Sequence, residues 1–258
     1  MQILNDEEIK ALKYYEGDLT IQDTSDYFSN PKAYVTFNSL FFEGLETERA
    51  RTNEGRMLDI AIGTNPQEVL HMSKNLISAM KKYPHDMLHT YRVERLVDYQ
   101  EFKKYKMLPS FISTSTNGFL DAYKDKKDLV LMDIWIDSDA LCIPYQEALH
   151  QYQKKEEGEV LLAPYAMIDI EELPISEEVK EIQDCNGNPP KVYCKVMIHG
   201  TTTQTYPEIS LDKNYKEAVR SVYLSLNFKK EPQQIYIDEY LNYKAYLKHT
   251  FMKYLQNR

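Results

Sequence analysis

The sequence of 258 residues is poor in glycine, cysteine and tryptophan, with 8, 3 and 1 residues respectively. It contains neither a Gly-x-Gly-x-x-Gly nor a Walker loop, so no Rossmann or P-loop nucleotide site is predicted. The three cysteines have no Cys-x-x-Cys spacing and the six histidines no metal-ligand spacing, which argues against a disulfide framework and a metal site. No run of about 18 apolar residues occurs, so no transmembrane helix is expected.

The sequence also lacks an excess of basic residues. Its 31 basic and 40 acidic residues give a net charge of −9, which argues against non-specific binding of nucleic acid or anionic lipid over the whole surface. The first twenty residues carry acidic side chains where a secretion signal needs an apolar run. We therefore expect a cytoplasmic protein, or one delivered to another cell's cytosol without a cleaved signal peptide.

The first third of the chain has the signals of helices. Asn5 and Glu8 have capping-box spacing, and the helical pattern that follows stops near Gly17. Proline is favoured at the first helical position, so Pro31 and Pro66 each predict the start of a further helix. The helix from Pro66 is expected to end before Pro84.

From about residue 88 the pattern changes to short runs rich in β-branched and aromatic residues, which predict strands. These runs are MLHTYRVERL, SFISTST, LVLMDIWID, GEVLLAPYAMIDI and KVYCKVMIH. Because helices come first and strands afterwards, without alternation of the two, the pattern favours an α+β fold over a doubly wound sheet.

The chain returns to helical patterns from Tyr206, and its last helix is predicted from about Pro232 to Leu255. We expect one domain over residues 1–205, with a helical part at 1–85 and a sheet core at 86–205. Residues 206–258 form a helical appendage packed on the same domain, with 9 basic and 6 acidic residues and 8 of the 21 tyrosines.

Three separated features could carry chemistry. Arg92 lies in a predicted strand, where a salt bridge with Glu94 is the structural alternative to ligand binding. Ser113, Thr114 and Ser115 end an apolar run, where hydroxyls also cap turns and helices, such as a short helix at 118–124. Glu157-Gly158-Glu159 places two carboxylates at the start of a strand, where like charges are costly unless they bind something. The alternative is that the two glutamates only continue the charged loop before the strand.

Taken in order, these features resemble the Arg, Ser-Thr-Ser, Glu-x-Glu signature of the mono-ADP-ribosyltransferases, in the branch related to clostridial and arginine-specific enzymes. The resemblance covers Tyr91 to about Ile170. It implies an ADP-ribosyltransferase-like fold, with a mixed, mostly antiparallel split β-sheet between N-terminal and C-terminal helices. It also implies that NAD is the substrate and that no metal is needed.

The resemblance implies a role for each motif residue. Catalysis would be carried by Glu159, whose carboxylate holds the ribose 2′-hydroxyl, and by Glu157, which orients the acceptor. NAD binding would be carried by six residues: Tyr91, Arg92, Ser113, Thr114, Ser115 and Tyr123. Acceptor recognition would involve Glu157 and Tyr152.

The resemblance also implies roles for residues in two loops. Phe119 or Tyr123 is expected to stack on the ligand, and Lys124, Lys126 or Lys127 to contact phosphate. An amphipathic helix with a solvated lysine face explains the same residues. Tyr145 is an alternative to Tyr152 as the acceptor-side aromatic residue.

Three enzymatic functions remain open, together with a non-catalytic interaction module that kept the fold. The resemblance favours transfer of ADP-ribose from NAD to a protein arginine with release of nicotinamide, by a toxin, effector or phage-type modifier. An antitoxin or immunity protein is a candidate partner, and no membrane association is expected. The enzymatic alternatives are transfer to a nucleic-acid base and NAD hydrolysis without an acceptor.

Overall fold

The structure is a computed structural model that describes residues 3–16, 38, 41, 66–119, 127–149, 158–203, 208–211, 215–218, 221–222 and 233–256. The chain divides into two compact units, one of residues 1–4 and 79–202 and the other of residues 5–78 and 203–258. The predicted helix that begins at Pro31 and most of the predicted helix at 118–124 lie outside the described residues. Within the described ranges, no helix is long and apolar enough to cross a membrane.

The described elements are, in chain order, α1 (Asp6–Glu16), α2 (Pro66–Met80), β1 (Leu88–Arg95), α3 (Leu96–Tyr105), β2 (Ile112–Ser115), β3 (Leu129–Ile136), β4 (Cys142–Pro144), α4 (Tyr145–Ala148), β5 (Glu159–Leu162), β6 (Ala166–Leu173), α5 (Glu177–Lys180), β7 (Val192–Thr201) and α6 (Gln234–Gln256). All seven strands lie in the first unit, and the described elements of the second unit are helices.

The helix starts follow the sequence signals. Asn5 N donates to Glu8 Oε2 at 2.8 Å and Glu8 N donates to Asn5 Oδ1 at 2.9 Å, which is the reciprocal pair of a capping box. Ser78 Oγ on α2 also donates to Glu8 Oε1 at 2.6 Å. The same glutamate therefore caps α1 and connects it to α2.

The seven strands form one mixed sheet in the order β4-β5-β2-β1-β3-β7-β6. Only the β3–β7 pair is parallel, which confirms the mixed, mostly antiparallel α+β prediction. The predicted extended run at 158–170 is two strands, because the chain turns at Pro164 and Tyr165, the latter with φ of 63°. Strand β4 and helix α3 were not predicted.

The length of strand pairing falls sharply between β1 and β2. Strands β1 and β3 pair over eight residues, from Leu88 with Ile136 to Arg95 with Leu129. Strands β1 and β2 share a single register pair, Tyr91 with Ser115. The sheet therefore consists of a four-strand part (β1, β3, β7, β6) and a three-strand part (β2, β5, β4) that meet at this pair, as the split sheet predicted by the resemblance requires.

The two faces of the sheet bury different residues. The larger apolar cluster includes Val130, Met132 and Ile134 of β3, whereas Leu129 and Leu131 belong to a smaller cluster. Because side chains alternate along a strand, Asp133 and Trp135 share the face of the smaller cluster. This face also carries Tyr91, Ser115 and Glu159 of the candidate motifs, whereas Arg92, whose register partner is Met132, lies on the face of the larger cluster.

Candidate functional site

The strand register aligns three of the predicted site residues across the split. Glu159 of β5 pairs with Ser115 of β2, and Ser115 pairs with Tyr91 of β1. Side chains of directly paired residues point to the same face, and neighbouring strands lie about 4.8 Å apart. Three motifs that are far apart in sequence thus form one row on the sheet.

Gly158 sets the direction in which the chain enters β5. Its φ of 54° is left-handed, and a Cβ at this position would collide with the hydroxyl of Thr116. Thr116 N donates to the Gly158 carbonyl at 2.9 Å, and the Thr116 hydroxyl donates to it at 3.2 Å. This pairing fixes Glu159, whose exposed fraction is 8%, at the start of the strand. Glu157 lies outside the described residues.

The Ser-Thr-Ser segment divides between the two faces of β2. Thr114 is buried, and its hydroxyl donates to the Val160 carbonyl at 3.1 Å, on the face of the larger apolar cluster. Ser115 is buried on the Glu159 side, and its Oγ accepts from Asn117 N at 3.0 Å. Thr114 therefore supports β2 and β5, while Ser115 shapes the turn beside the row.

Arg92 connects the two parts of the sheet. Its Nε and Nη2 donate to Glu94 Oε2 at 2.8 and 2.5 Å, and its Nη1 donates to the Ser113 carbonyl at 2.5 Å. Continuing the β1–β2 register would pair Val93 with Ser113, so the guanidinium reaches β2 where the register pairing of the two strands ends. The salt bridge with Glu94 that we considered as the structural alternative is present, and the side chains of Arg92 and Glu94 are 18% and 6% exposed.

An aromatic and charged cluster continues the row beyond Tyr91. The Tyr91 ring contacts Phe119 edge-on at 5.1 Å and His89 at 4.6 Å. His89 stacks on Trp135 at 4.3 Å, and its Nε2 lies 2.5 Å from Asp133 Oδ1. Sequence reasoning missed His89, Asp133 and Trp135, because their common face becomes evident only when β1 is paired with β3.

Asp133 has a second contact in this cluster. Burial, then the charge of the Asp133 carboxylate and the Tyr193 hydroxyl's hydrogen bond to it, raise the pKa of Tyr193. On the other side, Lys195 Nζ lies 5.5 Å from the centre of the Trp135 ring. Asp133 therefore interacts with side chains of both neighbouring strands, His89 of β1 and Tyr193 of β7.

The remaining predicted positions divide into three groups. Tyr123, Tyr152, Lys124 and Lys126 lie outside the described residues, as does Glu157. Phe119 contacts Tyr91, and Lys127 is exposed. Tyr145 is completely buried, which leaves its ring no surface for an acceptor. Among the residues that the structure describes, no group of three or more His, Cys, Asp or Glu side chains could hold a metal ion.

Comparisons with known proteins give structural similarity alone. No family model matches the sequence, and no curated protein matches it. The chain is similar to the solved structure of Vis toxin, an ADP-ribosyltransferase from Vibrio splendidus, at 15% identity, covering 78% of this chain and 75% of that chain with a TM-score of 0.41.

Two further similar structures carry the same enzyme name. For an ADP-ribosyltransferase from Clostridium botulinum, the identity is 14%, the shares covered are 76% of this chain and 88% of that chain, and the TM-score is 0.44. For Plx2a, an ADP-ribosyltransferase toxin from Paenibacillus larvae, the identity is 14%, the shares covered are 77% of this chain and 99% of that chain, and the TM-score is 0.37.

Proposed function

We propose that the chain is an NAD-dependent mono-ADP-ribosyltransferase that transfers ADP-ribose to a protein arginine and releases nicotinamide. The observation that carries the proposal is the row of Glu159, Ser115 and Tyr91 across β5, β2 and β1, beside the contact of Arg92 with the Ser113 carbonyl. Segments of the three separated motifs adjoin at the split of the sheet, and Arg92 reaches β2 from the face opposite the row. This adjacency supports a shared ligand.

Glu159 is the residue assigned to the reaction centre. When the bond between nicotinamide and ribose breaks, the electron pair leaves with nicotinamide and positive charge develops on the ribose. A carboxylate that accepts a hydrogen bond from the ribose 2′-hydroxyl binds more strongly as this charge grows, so it lowers the barrier. The backbone pairing of Gly158 with Thr116 holds this carboxylate at a fixed point of the strand.

Arg92 is assigned to the diphosphate of NAD. A guanidinium is always charged and presents its donors in a planar fork that suits phosphate oxygens. Its contacts with Glu94 and the Ser113 carbonyl hold this fork at the β1–β2 junction. Ser113 and Ser115 belong to the same strand and are assigned to the nicotinamide-ribose region, with Tyr91 and Tyr123 as further NAD contacts.

Glu157 is assigned to the acceptor. In arginine-modifying members of the family, a glutamate at this position orients the acceptor guanidinium and accepts its proton as the nitrogen bonds to the ribose C1′. Planar guanidinium and carboxylate groups match in geometry. Tyr152 is the aromatic residue assigned to the same recognition loop, and a role as a toxin, effector or phage-type modifier is part of the proposal.

The experiment uses labelled NAD and a whole-cell lysate, with wild type and Glu157→Ala compared on one gel. We expect protein labelling by wild type, its loss in Glu157→Ala, and retention of NAD hydrolysis by that variant. Digestion of the labelled product with protease or nuclease identifies the acceptor. Label that resists protease and is released by nuclease would show that the acceptor is a nucleic-acid base and not a protein arginine. NAD consumption without labelling would indicate a hydrolase.

A further inference from the structure

Tyr91 contacts two aromatic rings. The Phe119 ring lies edge-on at 5.1 Å, and the His89 ring lies at 4.6 Å with an angle of 52° between the two planes. The Tyr91 hydroxyl lies 3.5 Å from His89 Nδ1, at the long end of the hydrogen-bond range. The position of Tyr91 therefore depends on where His89 is held.

Two contacts, one with Trp135 and one with Asp133, hold the imidazole ring of His89. Its ring stacks on Trp135 at 4.3 Å with an interplanar angle of 16°, and its Nε2 lies 2.5 Å from Asp133 Oδ1. The side chains of His89 and Asp133 are 34% and 21% exposed. Stacking fixes the plane of the imidazole, and the carboxylate fixes its rotation within that plane.

The Asp133 carboxylate also selects the tautomer of the neutral imidazole ring. When Nε2–H donates to Asp133, Nδ1 of the neutral ring is an acceptor and faces the Tyr91 hydroxyl. Asp133 also interacts with Tyr193 of β7, and its register partner on that strand is Lys195. The chain of contacts thus runs from β7 through β3 to the tyrosine on β1.

We propose that His89 and Asp133 are positioning residues that set the ring and hydroxyl of Tyr91 beside Ser115 and Glu159. The proposal rests on the proposed function, because Tyr91 is assigned there to NAD. The register supports it directly, since Asp133 pairs with Tyr91 in the same row that leads to Ser115 and Glu159. His89 and Asp133 act through Tyr91 and do not themselves touch the reacting atoms.

The kinetic test is a double-mutant cycle on NAD consumption with His89→Ala, Tyr91→Ala and the double variant. We expect each single variant to raise KM for NAD on the order of tenfold with a smaller change in kcat, and the double variant to be no worse than either. Asp133→Asn is expected to show part of the same rise. Effects that multiply in the double variant, or a His89→Ala KM equal to that of wild type, would overturn the proposal.

His199 provides the matched control. It lies on β7, and its Nε2 is 3.1 Å from Asp169 Oδ2, so His199→Ala removes another histidine–aspartate contact of the same sheet, outside the row. We expect its KM to remain that of wild type. An equal rise of KM in His199→Ala would show a general effect of weakening the sheet and would contradict a specific role of His89.

A second readout does not depend on activity. In spectra of protein carrying ¹³C-labelled tyrosine rings, with the Tyr91 signal assigned from Tyr91→Phe, His89→Ala and Asp133→Asn should shift the Tyr91 signal and His199→Ala should not. An unmoved Tyr91 signal would overturn the positioning role. If wild type neither binds nor consumes NAD, the proposed function fails, while this spectrum still decides whether His89 positions Tyr91.

Discussion

The four-strand and three-strand parts of the sheet differ in how their strands are held together. In the four-strand part, β1 pairs with β3 over eight residues and β3 with β7 over seven, around alternating apolar side chains. In the three-strand part, β2 and β5 share four pairs, and a single pair joins β2 to β1. The motif residues lie at this weakly paired boundary. In the proposed function, long pairing therefore supplies the scaffold and its interruption supplies the site.

The largest effect is expected from breaking the scaffold itself. Ile134 of β3 is 1% exposed in the larger apolar cluster, so Ile134→Ala should lower the free energy of unfolding by about 2–5 kcal/mol. Urea denaturation measures this change. Ile235, which is 68% exposed, is the matched control, and Ile235→Ala should change the free energy of unfolding by less than about 0.5 kcal/mol. Equal effects of the two variants would contradict this assignment of the core.

The next effect concerns the ion pair at the boundary. Glu94→Ala leaves the Arg92 guanidinium without its carboxylate partner, and loss of one member of a nearly buried pair should cost about 3 kcal/mol. Glu171→Ala, which removes an exposed glutamate of β6, serves as the control in the same denaturation experiment. Equal free energies of unfolding for Glu94→Ala and Glu171→Ala would show that the ion pair does not stabilise the boundary between the two parts.

Gly158→Ala should separate stability from activity. The left-handed φ and the collision with the Thr116 hydroxyl should cost about 1–2 kcal/mol and displace Glu159, so NAD consumption should fall much more than stability. Gly187 has φ of 76° and is the matched control, because a Cβ added there would lie 3.9 Å from its nearest neighbour. Gly187→Ala should share the backbone penalty and keep activity, and a similar loss of activity in both variants would contradict the role of Gly158.

The smallest effect is a difference in labelling rate that needs no substitution. Burial raises the pKa of the Cys142 and Cys194 thiols to about 12, whereas Cys185 is exposed. A thiol reagent near neutral pH should modify Cys185 first, then Cys142 on the short edge strand β4, and Cys194 of β7 last. Peptide mass analysis over time gives the order. Modification of Cys194 before Cys142 would show that the four-strand part opens more readily than the three-strand part, which would contradict the comparison.

Local features of the fold could be predicted from the sequence because their causes are local. The Asn5 and Glu8 capping box and the proline that begins α2 act within one helical turn, and both predictions are confirmed. The motif residues of the site were named from their resemblance to a family, and the register shows how Ser115 and Glu159 come together.

Other features depend on contacts between distant parts of the chain and could not be predicted. The sequence of β1 does not mark His89 as special, because Asp133 and Trp135 reach it only when β3 pairs with β1. Strand β4 has three residues, too few for a periodic pattern. The break at Pro164 and Tyr165 has a local cause in the proline, but apolar residues continue on both sides of it.

The most direct test of the central claim is NAD consumption by wild type and Glu159→Gln at equal concentration, with nicotinamide release as the readout. Glutamine keeps the size of the side chain and removes the charge that stabilises the developing positive ribose. We predict that wild type releases nicotinamide and that Glu159→Gln, with unchanged circular dichroism and thermal unfolding, loses at least about a hundredfold in rate. Full activity in Glu159→Gln would contradict the account.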